Sequence, residues 1–222
     1  MSVYKKLLLG ILVALVTHVS HASLAQVSSR SSIGAGYTVD WFDFGVVDMT
    51  AVASGSTLSG VTVTGASTFT FFNGSTFNAD FLPTDSVLSM FDIVNGNPTS
   101  GVFSLSFAAA VRSAGAQVQG LEFGPFNGFI KAFDSSNVEI GSFAVAGTNG
   151  GNGDGSAVFA GIVSDSLNIW RLEFSGFGDG AGINLLSVGN VLEPGGEVPE
   201  PAGLALVLTA LVLLATTRKR VV

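Results

Sequence analysis

Oxygen-bearing side chains flanked by glycine occur in two segments of the chain, where they could bind calcium. Asn152 and Asp154 alternate with glycines in the first segment, and Asp179 lies between two glycines in the second. Calcium binds carboxylate, amide and backbone carbonyl oxygens, and glycine lets the backbone turn its carbonyls toward an ion. The same residue types also make turns without any metal, and the glutamate that ends an EF-hand loop is absent. We therefore expect no resident cofactor, with a calcium site at these three residues as the alternative.

Carboxylates could also hydrolyse glycosides, a reaction that needs an acid and a base or nucleophile at a set separation. Glu122, Glu139 and Glu173 lie in segments that we predict to be strands, but no spacing in the sequence brings two of them into one cleft. Cysteine is absent, and His18 and His21 both lie in the N-terminal leader described below. Ser-His-Asp and Cys-His catalysis and the usual zinc sites are therefore excluded in the mature chain. We predict that the protein is not an enzyme.

Aromatic side chains with a polar atom, Trp and Tyr, suit contact with sugars because one part is apolar and another is hydrated. Trp41 alternates with Phe42 and Phe44, so in a strand it would occupy the opposite face, beside an aspartate. We predict that Trp41 is exposed and is the best single candidate for a ligand contact, with packing against a second sheet as the alternative. Trp170 shares a predicted face with Leu172, which favours a place in the core.

Charge is distributed unevenly along the chain. All sixteen carboxylates lie between Asp40 and Glu200, whereas that part of the chain and the segment just before it contain four basic residues, Arg30, Arg112, Lys131 and Arg171. Such an acidic domain repels nucleic-acid phosphates and anionic lipid surfaces. We therefore predict no nucleic-acid partner. The charge favours solubility outside the cell, and it could also attract divalent cations and, through them, acidic polysaccharide.

The N-terminus has the parts of a secretory signal peptide. A pair of lysines precedes an apolar stretch over residues 7–16 that is too short to be a good membrane span. Small residues, Ser23 and Ala25, then occupy the −3 and −1 positions of a cleavage site. This spacing predicts cleavage between Ala25 and Gln26, with cleavage after Ala22 as the alternative.

The C-terminus has three parts in a fixed order. A stiff segment comes first, because each proline fixes its own φ and biases the preceding residue to extended backbone; it consists of Val198, Pro199, Glu200 and Pro201. Residues 202–217 carry no charge and would form a helix of about 24 Å in lipid, at roughly 1.5 Å per residue. A basic cluster follows and should stay in the cytoplasm; it consists of Arg218, Lys219 and Arg220.

This arrangement resembles a PEP-CTERM sorting signal, which combines a Val-Pro-Glu-Pro motif, a short apolar helix and an arginine-rich end. The resemblance covers residues 198–222. It implies that the chain is a substrate of an exosortase, a membrane protease-transpeptidase of Gram-negative bacteria whose substrates are associated with extracellular polysaccharide and biofilm. The helix would then be a transient anchor in the inner membrane, and the processed protein would reach the cell surface or the extracellular matrix. A permanent membrane anchor is the alternative.

Between the two ends the pattern is that of strands and turns. Phe103, Leu105 and Phe107 alternate with two serines, which predicts a half-buried strand. Residues 37–47 alternate in part, and residues 134–137 predict a hairpin turn. Because no segment shows sustained helical periodicity, we predict an all-β, antiparallel β-sandwich with a jelly-roll-like order. The predicted parts are a signal peptide (1–25), a loose Ser-rich segment (26–36), the β-sandwich ectodomain (37–189), a linker (190–197) and the sorting signal (198–222) with a single transmembrane helix (202–217).

These features together predict an exported surface or matrix protein with a structural or adhesive role in exopolysaccharide. The alternative is a carbohydrate-binding module that recognises a specific glycan, and a polysaccharide hydrolase is the third possibility.

Overall fold

A computed structural model describes residues 22–189, except for residues 35, 46–49, 66–67, 73–78, 91, 95–96, 100–101 and 179. The sorting motif, the apolar segment, the basic cluster and most of the leader lie outside the described residues. Within the described part of the chain, no helix has the length and apolar character needed to cross a membrane.

The described residues form seventeen strands. The first nine are β1 (Leu24–Val27), β2 (Gly36–Val39), β3 (Thr50–Val52), β4 (Ser56–Leu58), β5 (Val61–Gly65), β6 (Thr68–Phe72), β7 (Ser86–Met90), β8 (Asp92–Val94) and β9 (Asn97–Thr99). The others are β10 (Phe103–Val111), β11 (Ser113–Gly120), β12 (Gly124–Phe133), β13 (Glu139–Asn149), β14 (Val158–Ser164), β15 (Ile169–Ser175), β16 (Ala181–Ile183) and β17 (Leu186–Gly189).

Two large sheets contain most of these strands. The first has nine strands in the order β1-β14-β11-β16-β7-β6-β3, with β17 pairing both β11 and β2. The second has six strands in the order β13-β12-β15-β10-β5-β4, and β8 and β9 form a separate pair. All of the pairings are antiparallel. The predicted all-β fold with antiparallel sheets is therefore confirmed.

Along β10 and most of β12, alternate side chains enter the core, whereas β11 is buried at all but one of its positions. Phe103 and Leu105 of β10 are fully buried beside Leu172 and Phe174 of β15. The rings of Phe103 and Phe174 stack with centroids 5.0 Å apart. Burial of each such side chain contributes about 1.5–3 kcal/mol. The buried face predicted from the alternation in β10 is confirmed, since Phe107 is buried as well.

The hairpin predicted at residues 134–137 is also confirmed, because β12 and β13 pair across it. Asp134 organises the turn, since its Oδ1 accepts hydrogen bonds from the backbone N–H groups of Ser136 (2.8 Å) and Val138 (2.9 Å). An aspartate that bonds the backbone two residues later is a common turn device. Asn137 adopts the positive φ that closes the turn.

The segment 26–36, predicted to be loose, is ordered by tertiary contacts. It contains the end of β1, a 3₁₀ helix (Arg30–Ile33) and the start of β2. Arg30 donates through Nη1 to the carbonyl of Leu185 (2.8 Å) and to the hydroxyl of Ser187, and Ile33 is buried. Serine-rich composition does not reveal these distant partners.

The strand predicted over residues 37–47 is wrong over residues 41–44, and residues 46–47 lie outside the described residues. β2 ends at Val39, and a 3₁₀ helix follows (Trp41–Phe44). Asp40 starts this helix, because its Oδ1 accepts from the backbone N–H of Phe42 (3.0 Å). A 3₁₀ helix has three residues per turn, whereas side chains of a strand return to the same face every two residues. Trp41 and Phe42 therefore do not lie on the faces that a strand would give them.

Candidate functional site

The solvent-facing side of the six-stranded sheet has the most distinctive surface of the described residues; we call it the outer sheet face. On β12 the side chains alternate, so that Phe126 and Ile130 point into the core while Asn127 and Phe129 are exposed and Lys131 is half-buried. Because alternate residues of a strand share a face, these three residues form one row. Their neighbours on β13 and β15 are fixed by the antiparallel register.

Phe129 is an exposed aromatic ring on a regular strand. Its side chain is 46% exposed. Its cross-strand neighbours are small, Ala144 on β13 and Ser175 on β15. The ring lies over Gly176, where an added Cβ would come within 3.3 Å of it and where φ is +77°. The Phe129 ring therefore occupies the space over Gly176, and the rest of its surface faces solvent.

Four charged side chains form an ion-pair network next to Phe129. Lys131 Nζ lies 3.6 Å from a carboxylate oxygen of Glu173 and 3.9 Å from one of Glu139. Arg171 Nη1 lies 3.0 Å from the other oxygen of Glu173. The pairs connect three neighbouring strands, so they hold donors and acceptors at fixed places on an open surface.

Arg171 is held from several sides. Its Nε donates to Asn137 Oδ1 (3.0 Å) and its Nη1 donates to Ser104 Oγ (2.9 Å). Its guanidinium also lies over the ring of Phe133, 3.5 Å from the centroid. A planar guanidinium that stacks and donates in a fork is strongly oriented. The polar array is therefore preorganised by contacts from strands β10 and β12 and from the turn that contains Asn137.

Hydroxyl groups extend the outer sheet face beyond the charged network. On β10, Ser104 and Ser106 pair with Thr64 and Thr62 of β5, and Thr57 of β4 lies opposite Thr62. The hydroxyls of Thr57 and Thr62 are 2.9 Å apart. The face therefore changes from an aromatic ring, through charged groups, to a strip of hydroxyls. Such a surface can exchange hydrogen bonds with a ligand rich in hydroxyl groups.

A cleft of about 260 Å³ adjoins this face where β12 begins. Two aromatic rings, Phe126 and Phe177, line it with centroids 6.0 Å apart. Glu122 and Asn127 supply its polar groups, and the remaining lining residues are Gly120, Pro125 and Gly178. Since Asn127 belongs to both surfaces, the cleft continues the row formed by Asn127, Phe129 and Lys131.

The three glutamates considered as hydrolytic residues are distributed over these surfaces. Glu139 and Glu173 lie on either side of Lys131, and Glu122 lines the cleft. Sequence spacing did not indicate that Glu139 and Glu173 would share one cation. Their shared partner is Lys131, and the side chains of Glu139 and Glu173 are 45% and 16% exposed.

The glycine-rich loop after β13 is organised by a carboxylate that sequence analysis missed. Asp80 is 3% exposed. Its Oδ1 accepts from the backbone N–H of Asn152 (2.7 Å), and its Oδ2 accepts from Gly150 N–H (2.8 Å) and Gln119 Nε2 (2.9 Å). Burial raises the pKa of Asp80, but these hydrogen bonds outweigh burial and hold the pKa below its usual value. The sequence signal for this buried carboxylate was a single aspartate flanked by two apolar residues, Ala79 and Phe81.

Two of the residues predicted to bind calcium, Asn152 and Asp154, take part in the same loop. Asn152 directs its backbone N–H at Asp80, and Asp154 Oδ1 accepts from Ser156 N–H (3.0 Å). Hydrogen bonds from Ser156 lower the pKa of Asp154. Asp179 lies outside the described residues. Among the residues that the structure describes, no three His, Cys, Asp or Glu side chains form a group that could hold a metal ion.

The predicted ligand contact at Trp41 is wrong, because the side chain is fully buried at 0% exposure. Its Nε1 donates to the carbonyl of Asn184 (2.7 Å), and its ring stacks near Phe44 at a centroid distance of 6.3 Å. The 3₁₀ helix turns the indole inward, where a buried Trp needs such an acceptor. Trp170, assigned to the core by alternation, is instead 37% exposed.

No protein-family model and no curated protein matches this chain. Several solved structures show limited similarity. One is the carbohydrate-binding module TmCBM61 in complex with β-1,4-galactotriose (16% identity, 59% of this chain and 89% of that chain, TM-score 0.31). A DUF4465 family protein from Bacteroides caccae has 8% identity over 74% of this chain and 99% of its own (TM-score 0.34). The catalytic domain of a GH87 α-1,3-glucanase in complex with nigerose has 13% identity over 68% of this chain and 31% of its own (TM-score 0.32). At such TM-scores these similarities assign neither a ligand nor an activity to the chain.

Proposed function

We propose that this protein is an exported, non-catalytic polysaccharide-binding β-sandwich and that the outer sheet face is its glycan-binding surface. The observation that carries the proposal is an exposed Phe129 next to the ordered Lys131–Glu173–Arg171 network. A sugar ring has an apolar face of C–H groups and a rim of hydroxyls. The aromatic ring would cover the first, while charged donors and acceptors would bond the second.

The dimensions of the row favour a chain of sugars over a single sugar. Same-face residues of a strand are about 6.6–6.8 Å apart, so the row from Asn127 to Lys131 is about 13 Å long. The cleft extends the row at Asn127, and the hydroxyl strip adjoins it across β10. Binding sites for small molecules commonly combine an apolar surface with a few placed polar groups, and this surface has both.

The charges favour a neutral glycan. The whole chain has a formal net charge of −7, so it repels an anionic polymer at long range. The cations of the outer sheet face, Lys131 and Arg171, are already paired with carboxylates. An ion pair offers a donor and an acceptor side by side, which matches a hydroxyl, whereas an anionic sugar would have to compete with Glu173.

Export and sorting are the second part of the proposal, and the sequence supports them. A leader precedes the β-sandwich, and residues 198–222 resemble a PEP-CTERM signal for an exosortase. The precursor would be held in the inner membrane of a Gram-negative bacterium and processed near Glu200. Delivery to the cell surface or matrix would place a polysaccharide-binding domain among its ligands, where it would act as an adhesive component.

The test is a glycan array followed by calorimetric titration with the strongest neutral oligosaccharide. We expect Phe129→Ala to weaken binding at least about tenfold, since loss of one stacking contact of roughly 1.4 kcal/mol changes the affinity by that factor. Phe42→Ala is the matched control, because Phe42 is similarly exposed at 43% but follows β2 in the other sheet. An equal loss of glycan affinity in both variants, or no binding of the wild type to any glycan, would reject the proposed surface.

A further inference from the structure

The first described strand continues to its own N-terminal end without a break. β1 pairs with β14 from Leu24, opposite Ser164, to Val27, opposite Gly161. One residue earlier, Ser23 N–H donates to Asp165 Oδ2 (3.1 Å), and Ser23 C=O accepts from Asp165 N–H (3.1 Å). The ordered edge of the nine-stranded sheet therefore includes Ser23.

β1 also connects the two large sheets along one side of the sandwich. Gln26 Nε2 donates to the carbonyl of Ala144 on β13 (3.0 Å). Leu24 lies against Gly141 of the same strand, where an added Cβ would come within 3.2 Å of it. Both β1 and β13 are terminal strands of their sheets, so these contacts cover edges that would otherwise be open.

Cleavage between Ala25 and Gln26, the site expected from small residues alone, would cut β1 in the middle. It would remove the pairings of Leu24 with Ser164 and of Ala25 with Val163. It would also remove the contact of Leu24 with Gly141. The edge of β14 would then lack half of its partner strand.

We infer that the mature chain begins at Ser23 and that its new α-ammonium group pairs with Asp165. Hydrolysis of the Ala22–Ser23 bond places the hydroxyl of water on the Ala22 carbonyl as a carboxylate and leaves the amine on Ser23, which takes up a proton at neutral pH. Ser20 and Ala22 provide the small −3 and −1 residues that an export peptidase requires.

The structure supports this site because the nitrogen that becomes the ammonium already lies 3.1 Å from a carboxylate oxygen. A neutral N–H donor in the precursor would become a charged donor after cleavage, and charge-assisted hydrogen bonds are the stronger kind. Processing would thus strengthen the bond that holds Ser23 at the edge of the sheet. The inference concerns maturation only and does not depend on glycan binding.

The first experiment determines the N-terminus of the exported full-length gene product by N-terminal sequencing and mass spectrometry. We expect Ser23 in the wild type and in Ala25→Gln, because Ala25 is exposed on β1 and is not one of the small residues of the Ala22–Ser23 site. Ala22→Gln should lose this product, because glutamine is not a small residue. An N-terminus at Gln26 in the wild type, or an intact leader, would overturn the inference, as would loss of processing in Ala25→Gln with normal processing in Ala22→Gln.

The second experiment tests the ion pair by hydrogen exchange of the mature protein. Asp165→Asn should make the amides of β1 exchange severalfold faster, since the charge that holds the N-terminus is lost. Asp43→Asn removes an exposed carboxylate away from β1 and should leave β1 unchanged. Unchanged exchange in Asp165→Asn would refute the pairing, even if the N-terminus proved to be Ser23.

Discussion

Asp80 allows a direct test of how a buried carboxylate holds the glycine-rich loop. In Asp80→Ala, three donors lose their acceptor, namely the N–H groups of Gly150 and Asn152 and the Nε2 of Gln119. An unpaired buried donor costs about 1–3 kcal/mol. The two backbone donors are only partly buried and regain some water, so we assign each about 1 kcal/mol, at the lower end of that range.

Adding roughly 1–2 kcal/mol for the buried amide of Gln119 gives a loss of about 3–4 kcal/mol. For a domain of this size the melting temperature falls by about 2–4 °C per kcal/mol. Asp80→Ala should therefore melt about 6–16 °C below the wild type in calorimetry at neutral pH. Asp154→Asn is the matched control in the same loop; it keeps an acceptor for Ser156 N–H and should melt close to the wild type.

The same carboxylate should make stability depend on pH in a defined direction. The folded pKa of Asp80 is lower than its unfolded value, so the unfolded chain binds the proton more readily. Its contribution is fully present above the unfolded pKa of about 3.9 and is lost as the pH falls through the folded pKa. The difference in unfolding free energy between the wild type and Asp80→Ala should therefore decrease below pH 4. A difference in unfolding free energy under about 1 kcal/mol at pH 7, or a difference that does not change with pH, would refute this account.

Two further variants test the buried indole and the C-terminal signal. Trp41→Phe removes the donor to the Asn184 carbonyl and leaves a small cavity, so we expect a loss of about 2–3 kcal/mol in denaturant unfolding; Phe42→Ala should cost much less, and equal losses would contradict the burial argument. Glu200→Ala should block maturation and leave the full chain in the membrane fraction, as judged by fractionation and mass spectrometry of the C-terminus. Normal release of Glu200→Ala would contradict the role of the motif.

The alternation of buried and exposed side chains along single strands was the part of the fold that the sequence could predict. In β10, the alternation of Phe103 and Leu105 with serines identified both the strand and its buried face, because a half-buried strand needs no distant information to show its period. In β12, the same logic separates Phe126 and Ile130 from Phe129. Phe129 alternates in step with the exposed Asn127, and this signal was visible in the sequence.

Other features depended on partners far away in the chain. Trp41 is buried because Asp40 starts a 3₁₀ helix and the Asn184 carbonyl accepts from the indole, a contact across 143 positions. The acceptor role of Asp80 depends on a loop about seventy positions later. Local periodicity contains no information about such pairs, which are fixed only when the two sheets assemble. The small-residue pattern that predicts cleavage after Ala25 likewise contains no information about the pairing of β1 with β14.

The distribution of charge on the folded chain separates structural groups from the candidate binding groups. Asp40, Asp134 and Asp154 cap local turns, and Asp80 organises a loop. Arg30 donates to carbonyl and hydroxyl oxygens near β17. These groups satisfy the backbone of their own fold.

On the outer sheet face, by contrast, Lys131 pairs with Glu139 and Glu173 across strands, and Arg171 pairs with Glu173 along β15. These side chains are only partly exposed, at 16–45%. Ion pairs that water reaches contribute little to stability, about 0–1 kcal/mol each, so folding alone gives a weak reason to place two of the four cations of the acidic region there. A stronger reason to place the cations there is that a binding surface must present ordered donors and acceptors beside an exposed ring. The position of the scarce cations therefore argues for recognition at this face independently of the shape of the cleft.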